Sequence, residues 1–231
     1  MKNKFTRFLI FAFLIIPLLS FSQGENNIWY FGYRAGLDFN SGSPVALTNA
    51  PSTFGTWGYS FAVSDSLGNF MFSVDNAYIY NRNQQVMPNG SLIGTNGNLQ
   101  PSFVVKNPGD DSIYYLFTMD EMVWSGNPDP KGLRYSVIDM NLDGGLGDIP
   151  PGQKGIVMPG AEITGDMLTG TRAQNNRDAW IVARKYQNSN EYLTYHITSA
   201  GIDLNPVISN SLVTLIFPWF VNNPEMIRFS P

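Results

Sequence analysis

The string Asp139-Met140-Asn141-Leu142-Asp143-Gly144 places oxygen ligands at alternate positions ahead of a glycine, as the opening of a calcium loop does. The pattern then breaks. The position that should carry a bidentate glutamate is Pro150, and Asp148 is the carboxylate nearest to it. The same residues suit a hairpin turn, in which Asn, Asp and Gly accept positive φ, and the turn is the stronger reading. No cofactor is expected; calcium, on Asp139, Asn141 and Asp143, is the one the sequence admits. His196 is the only histidine and there is no cysteine, so nucleophilic triads and zinc sites have almost no material to work with. Neither a phosphate-binding GxxxxGK[ST] nor a GxGxxG following a strand is present. Paired carboxylates for glycoside hydrolysis would have to come from Asp110, Asp111, Asp120, Glu121, Glu162 or Asp166. Most of these sit in turns, where solvated carboxylates are expected. Among the tryptophans, Trp29 and Trp180 alternate within strands and read as core packing. Trp57 and Trp124 lie in Gly-rich or Pro-rich loops and are the candidates for stacking on a ligand such as a sugar.

The elements that must position these residues are strands. Nearly every apolar stretch after the N-terminus is four to eight residues long, rich in β-branched and aromatic types, and bounded by Gly, Asn, Asp or Pro. Asn27 to Gly32 and Ala35 to Asn40 read as two strands around a turn at Tyr33-Arg34, followed by Val45 to Leu47. A strand-turn-strand format then recurs: Phe61 to Asn83, Ser102 to Glu121 resuming at Gly132 to Gly145, and Arg177 to Asp203. Asp65-Ser66-Leu67-Gly68 makes a hairpin by a known mechanism, since the aspartate bonds its own turn and the glycine takes positive φ. Met87 to Gly90 reads as a further turn. Met122 to Lys131 is a loop insertion, and Pro150 to Thr171 and Leu204 to Asn223 are less regular connections between copies, with strand content. A fourth copy opens at Met226 and the sequence stops at Pro231. Repetition at this spacing points to a stacked or radial β-architecture, in which one unit cannot bury its faces without neighbours.

Lys2, Lys4 and Arg7 precede an apolar run from Phe8 to Leu19, and Ser20-Phe21-Ser22 supplies the small residues of a cleavage site before Gln23. Residues 1–22 therefore read as a signal peptide; the run falls short of the roughly 20 residues a bilayer span needs. Cleavage removes three of the 14 basic residues and none of the 18 acidic ones, leaving 11 against 18 and a net charge of −7. That balance argues against nucleic acid or an anionic membrane surface as a partner, and no membrane insertion is expected once the signal is gone. An exported chain without cysteine has no disulfide framework, and residues 23–231 are long enough to bury one sizeable core. With only 14% charged residues and abundant Gly, Pro and Asn, one all-β domain is the expectation.

Three strings carry a resemblance: NIWYFGYRAGLDFNSGSPVAL from Asn27, SDSLGNFMFSVDNAYIYNRNQQVMPNG from Ser64, and GLRYSVIDMNLDGGLGD from Gly132. Together they resemble the N-terminal propeller-like region of large secreted Bacteroidetes proteins that end in a gliding-motility-associated, type IX secretion sorting domain. The resemblance spans about Asn26 to Pro231. It implies a partial β-propeller with WD40/YVTN-like blades of antiparallel strands, here an open arc of roughly three to four. MIRFSP resembles the start of a further blade, and no sorting domain follows, so a fragment of a larger secreted protein is expected.

The function expected is a non-enzymatic extracellular or cell-surface interaction module, exported to the periplasm, the outer surface or the medium. Its partner would be a protein or glycan bound by loops on one face of a rigid scaffold. The alternative is a carbohydrate-binding or carbohydrate-active propeller using loop tryptophans and carboxylates. A non-functional fragment is the third reading.

Overall fold

Alternation of apolar and polar residues over four to eight positions is satisfied by antiparallel strands, and sixteen strands without an α-helix occupy the described residues. The computed structural model describes residues 24–32, 34–51, 60–75, 77–93, 102–119, 132–162, 164–185 and 190–212. Four antiparallel sheets follow one another along the chain, and none of them closes on itself. The first holds β1 (Ile28–Tyr30), β2 (Gly36–Asp38) and β3 (Val45–Leu47). The second holds β4 (Phe61–Ser64), β5 (Phe70–Val74), β6 (Tyr78–Asn81) and β7 (Val86–Ser91). The third holds β8 (Ser102–Lys106), β9 (Ile113–Met119), β10 (Leu133–Asp139) and β11 (Ile156–Val157). In the fourth, β12 (Thr164–Arg172), β13 (Ala179–Lys185) and β14 (Glu191–Thr198) continue into β15 (Gly201–Ile202), and β16 (Val207–Asn210) also pairs with β14. Apart from β16, which returns to β14 and does not pair with β15, strands adjacent in sequence are adjacent in space, and every sheet is a meander.

Three apolar layers join the four sheets in order. Ile28, Tyr30 and Ala50 pack with Tyr80 between the first and second sheets. Phe72, Val74 and Ile79 meet Tyr114, Leu116 and Ile138 between the second and third. Phe117, Met119 and Leu133 meet Ile181, Leu193 and Tyr195 between the third and fourth. The strand β9 shows why its sequence, IYYLFTM, is almost continuously apolar: Tyr114 and Leu116 face one layer, and Tyr115, Phe117 and Met119 face the other. A strand covered on both faces loses polar alternation. In β5 a bulge does what alternation alone would not. Val63 pairs with Phe72 and Ser64 with Phe70, which leaves Met71 as the extra residue. Phe70 and Phe72 thereby point to opposite faces, the first edge-on to Tyr30 and the second edge-on to Tyr114, with ring centroids 5.2 Å apart in each pair.

Three sequence expectations are corrected here. Met87 to Gly90 is not a turn but part of β7, and the turn lies earlier, at residues 82–85. β7 is the edge of its sheet, where Pro88 forfeits no ladder bond to a further strand. Residues 164–172, read as part of a connection with some strand content, are a full nine-residue strand of the fourth sheet. The first strand of the last copy is therefore β12 and not Ala179 to Arg184, so that copy is out of phase with the other two by one strand. Its glycines hid it. Gly170 is a site of close approach, where a Cβ would lie 2.4 Å from the Phe103 ring. Finally, Trp29 is not in the core. Ile28 and Tyr30 turn inward, parity turns Trp29 outward, and it is 51% exposed.

The layers also set a pH limit. Burial, then the nearby charges of Glu25, Asp111 and Asp65, push the Tyr114 hydroxyl up from 10.0 to about 12. Burial and the Glu162 charge push Tyr195 up as well. The fold holds the protonated phenols, so the Tyr114 contribution is fully present below pH 10.0 and is lost as pH rises through about 12, and that of Tyr195 is lost at still higher pH. Tyrosinate absorbance and far-ultraviolet circular dichroism recorded together should show these two tyrosines ionising only as the sheets unfold. Their free titration in an intact fold would overturn this.

Candidate functional site

In a meander, the turn after the first strand and the turn after the third lie at the same end of the sheet. Those ends come together here. The Gly24 amide donates to Ser66 O in the β4–β5 turn (3.1 Å), and Glu25 pairs with Arg172 at the end of β12. Arg82, in the β6–β7 turn, donates from Nη2 to Gly145 O in the loop after β10. Gly109, in the β8–β9 turn, abuts Ser199 in the β14–β15 turn. The hairpins of the second, third and fourth sheets thus form one connected end.

A cleft of about 490 Å³ opens at this end between the first sheet and the hairpins of the second. Tyr30 from β1 and Phe70 from β5 supply aromatic surface, and Asp38, at the end of β2, supplies the one carboxylate of its lining. The remainder is largely amide: Asn40, Asn49, Asn69, Asn83 and Gln84. These side chains are held by one another. Gln84 Nε2 donates to Tyr30 Oη (3.0 Å), and Tyr30 Oη donates to Asn49 Oδ1 (3.1 Å). Asn40 Nδ2 donates to Gly68 O (2.9 Å), while its Oδ1 accepts from Asn27 Nδ2 (2.9 Å). Asn69 donates from its amide and from Nδ2 to the Asp65 carboxylate, both at 2.9 Å. Burial alone would raise the Asp65 carboxyl, but the Asn69 side chain and the amides of Asn69, Leu67 and Gly68 outweigh it and hold it below the ordinary range. Asp65→Ala removes the acceptor for three of these bonds and should cost about 1 kcal/mol, with faster amide exchange at residues 65–69 as the local readout. Unchanged exchange there would show that the turn does not need the carboxylate.

Comparison of the chain with family models, with curated proteins and with solved structures finds no match. The site is therefore read from its own geometry.

The calcium candidates take separate parts in local structure. Asp139 Oδ1 accepts from the Asn141 amide (2.9 Å), and Asn141 Nδ2 donates to Ser112 Oγ (2.8 Å). Asp143 opens a short 3-10 turn at a positive φ of 49°. Asp148 accepts two bonds from Asn89 (2.8 Å each), which ties β7 to the loop after β10. Among the described residues no three His, Cys, Asp or Glu side chains converge as metal ligands. Asp110 accepts from both the amide and the hydroxyl of Ser112, and those bonds draw its carboxyl down. Asp111 pairs with Lys106 (2.8 Å), and Glu162 accepts from the Gly160 amide (3.0 Å). Trp57, Trp124, Asp120, Glu121 and the Asp166 side chain lie outside the described residues, as do residues 1–22, the insertion and the closing MIRFSP.

Trp180, read from sequence as core, belongs to the outer face of the fourth sheet. It stacks on its cross-strand partner His196 with centroids 4.0 Å apart and rings within 8° of parallel. His196 Nε2 approaches Asp178 Oδ2 to 3.4 Å, and Asn175 Nδ2 donates to the same carboxylate (2.9 Å). A second hollow of about 560 Å³ opens there. In β14, His196 shares the face of Tyr192 and Thr194. Sequence reasoning missed Trp180 as its stacking partner, because pairing register was not legible. It also missed Tyr30, Asn49, Asn83 and Gln84. The only signal for them was an unusual density of side-chain amides in turns, which reads as ordinary turn chemistry.

Proposed function

We propose that this chain is a non-enzymatic interaction module of the cell surface or extracellular space, built on a propeller-like scaffold in which each four-strand meander is one blade. The observation that carries the reading is the ordering of the sheets. Three successive meanders of four consecutive strands pack face to face through shared apolar layers, and β12 lies against β8 and β9 of the preceding sheet. The first sheet, packed on β4, would be part of a further blade. The similarity to the Bacteroidetes propeller-like regions supports the same arrangement, and the basic and apolar N-terminus supports export. Binding is assigned to the hairpin end because the turns of all three blades meet there beside a polar cleft, on a scaffold whose strands are rigidly layered. Of the carboxylates that would serve a hydrolase, Asp110 and Glu162 are engaged in turns and Asp111 in an ion pair with Lys106.

Expression in a bacterial host with recovery of the exported protein tests this. Its N-terminus should be Gln23, and hydrogen exchange in the presence of a cell-envelope extract should slow at residues 65–69, 82–85 and 140–148. Retention of residues 1–22 in the cytoplasm, or protection confined to the opposite strand ends, would overturn the reading.

A further inference from the structure

We infer that the cleft between the first sheet and the β4–β5 and β6–β7 hairpins is a binding site for a neutral saccharide, engaged by its amide side chains. The inference rests on the reading of the hairpin end as a recognition surface, and it names the ligand class.

The chemistry of the walls selects the ligand. A primary amide offers a donor and an acceptor side by side, and so does each pair of adjacent hydroxyls on a sugar ring. Five amide side chains line this one cleft, together with the Tyr30 hydroxyl. An anionic ligand would need a surplus of positive charge, but Arg82 is balanced by Asp38 and already donates to Gly145 O. A wholly apolar ligand would leave the Gln84 Oε1 atom, which has no donor, unsatisfied. What fits is a molecule with one apolar face, for Phe70, and a rim of hydroxyls, for the amides. The cleft volume of about 490 Å³ falls within the range of small-molecule sites.

Two features argue that the walls are built and not incidental. First, the polar groups are fixed in advance. Gln84, Tyr30 and Asn49 form a hydrogen-bonded chain across three separate segments, so little ordering remains to oppose binding. Second, Gln84 occupies the left-handed region, with φ 61°, at the tip of the β6–β7 turn. Asparagine or glycine adopts that conformation more readily, but only the longer side chain has the reach that joins Tyr30. The Gln84 Oε1 atom is shielded and has no donor. A ligand hydroxyl donating to it would supply the missing bond while Nε2 stays on Tyr30 Oη. With Asp38 as the one carboxylate lining the cleft, the second acid of a glycosidase is lacking, and the site is one of binding.

The test is saturation-transfer NMR on the full exported chain with cellobiose, mannobiose and diacetylchitobiose, followed by titration of any disaccharide that responds. At least one should bind, and Asn83→Ala and Tyr30→Phe should each weaken it about tenfold. Both variants should keep the wild-type circular dichroism spectrum, since Asn83 is exposed and phenylalanine preserves the Tyr30 ring. Trp180→Ala should leave the affinity unchanged. Absence of any response, or binding that survives both cleft variants, would overturn the inference. Binding lost only in Trp180→Ala would also overturn it, by moving the site to the fourth sheet while leaving the module's role in recognition intact. Cleavage of the bound disaccharide would instead contradict the non-enzymatic reading and keep the site.

Discussion

Phe117→Ala is expected to lower the unfolding free energy by about 3–5 kcal/mol, the largest effect of any single truncation proposed here. Phe117 is fully buried in β9, between Phe103 on one neighbouring strand and Tyr135 on the other. Its ring lies 6.3 Å from that of Tyr135 and belongs to the apolar layer joining the third and fourth sheets. Collapse around the vacated space is restricted, because β9 is hydrogen-bonded on both edges and packed on both faces. Total stabilities of small domains are only about 5–15 kcal/mol, so the variant should sit near its folding threshold. Urea unfolding followed by circular dichroism checks this, with Leu67→Ala as the reference, since Leu67 is 81% exposed. A shift in midpoint no larger than that of Leu67→Ala would mean that the third and fourth sheets do not share a core.

Gly132→Ala should be nearly as damaging, at about 3 kcal/mol or more. Gly132 has a φ of 61°, which a side chain resists. A Cβ there would also lie 2.2 Å from Glu162 O and 2.4 Å from Ala161 O. Both contacts are with backbone, so no rotamer change relieves them. The segment that would have to move carries the Ala161 carbonyl that accepts from the Leu133 amide (2.9 Å) and the Met158 amide that donates to Leu133 O (3.0 Å). Faster hydrogen exchange at residues 156–161, together with the lowered midpoint, would locate the damage. Gly144→Ala is the control: its φ is similar, at 64°, but nothing lies within 4 Å of the added carbon. Equal effects of the two substitutions would show that backbone conformation alone, and not the close approach, sets the cost.

Much of the strand pattern was legible because it is local. Hairpins at Asp65 to Gly68 and Asn107 to Asp111 follow from side chains bonding their own turns, and β9, β10, β13 and β14 announce themselves by β-branched and aromatic runs. What misled was context. Pro88 reads as a turn residue unless its strand is known to be an edge, and β12 reads as irregular unless Gly170 is known to face Phe103. Alternation within β1 was visible, yet which parity faces inward depends on the neighbouring sheet, and so Trp29 was assigned to the wrong side.

The sequence by itself determined the all-β class, the absence of cysteine, and the short-range turns, since each depends on composition or on residues a few positions apart. Tertiary structure alone decided that the sheets pack in sequence order, that a bulge at Met71 sends Phe70 and Phe72 to opposite faces, and that Tyr30, Asn49 and Gln84 join in one cleft. These three residues are separated by 19 and 54 positions. No periodicity links positions so far apart; their meeting follows from how one sheet's inward face lies on the next, which is a matter of side-chain shape and burial summed over both sheets.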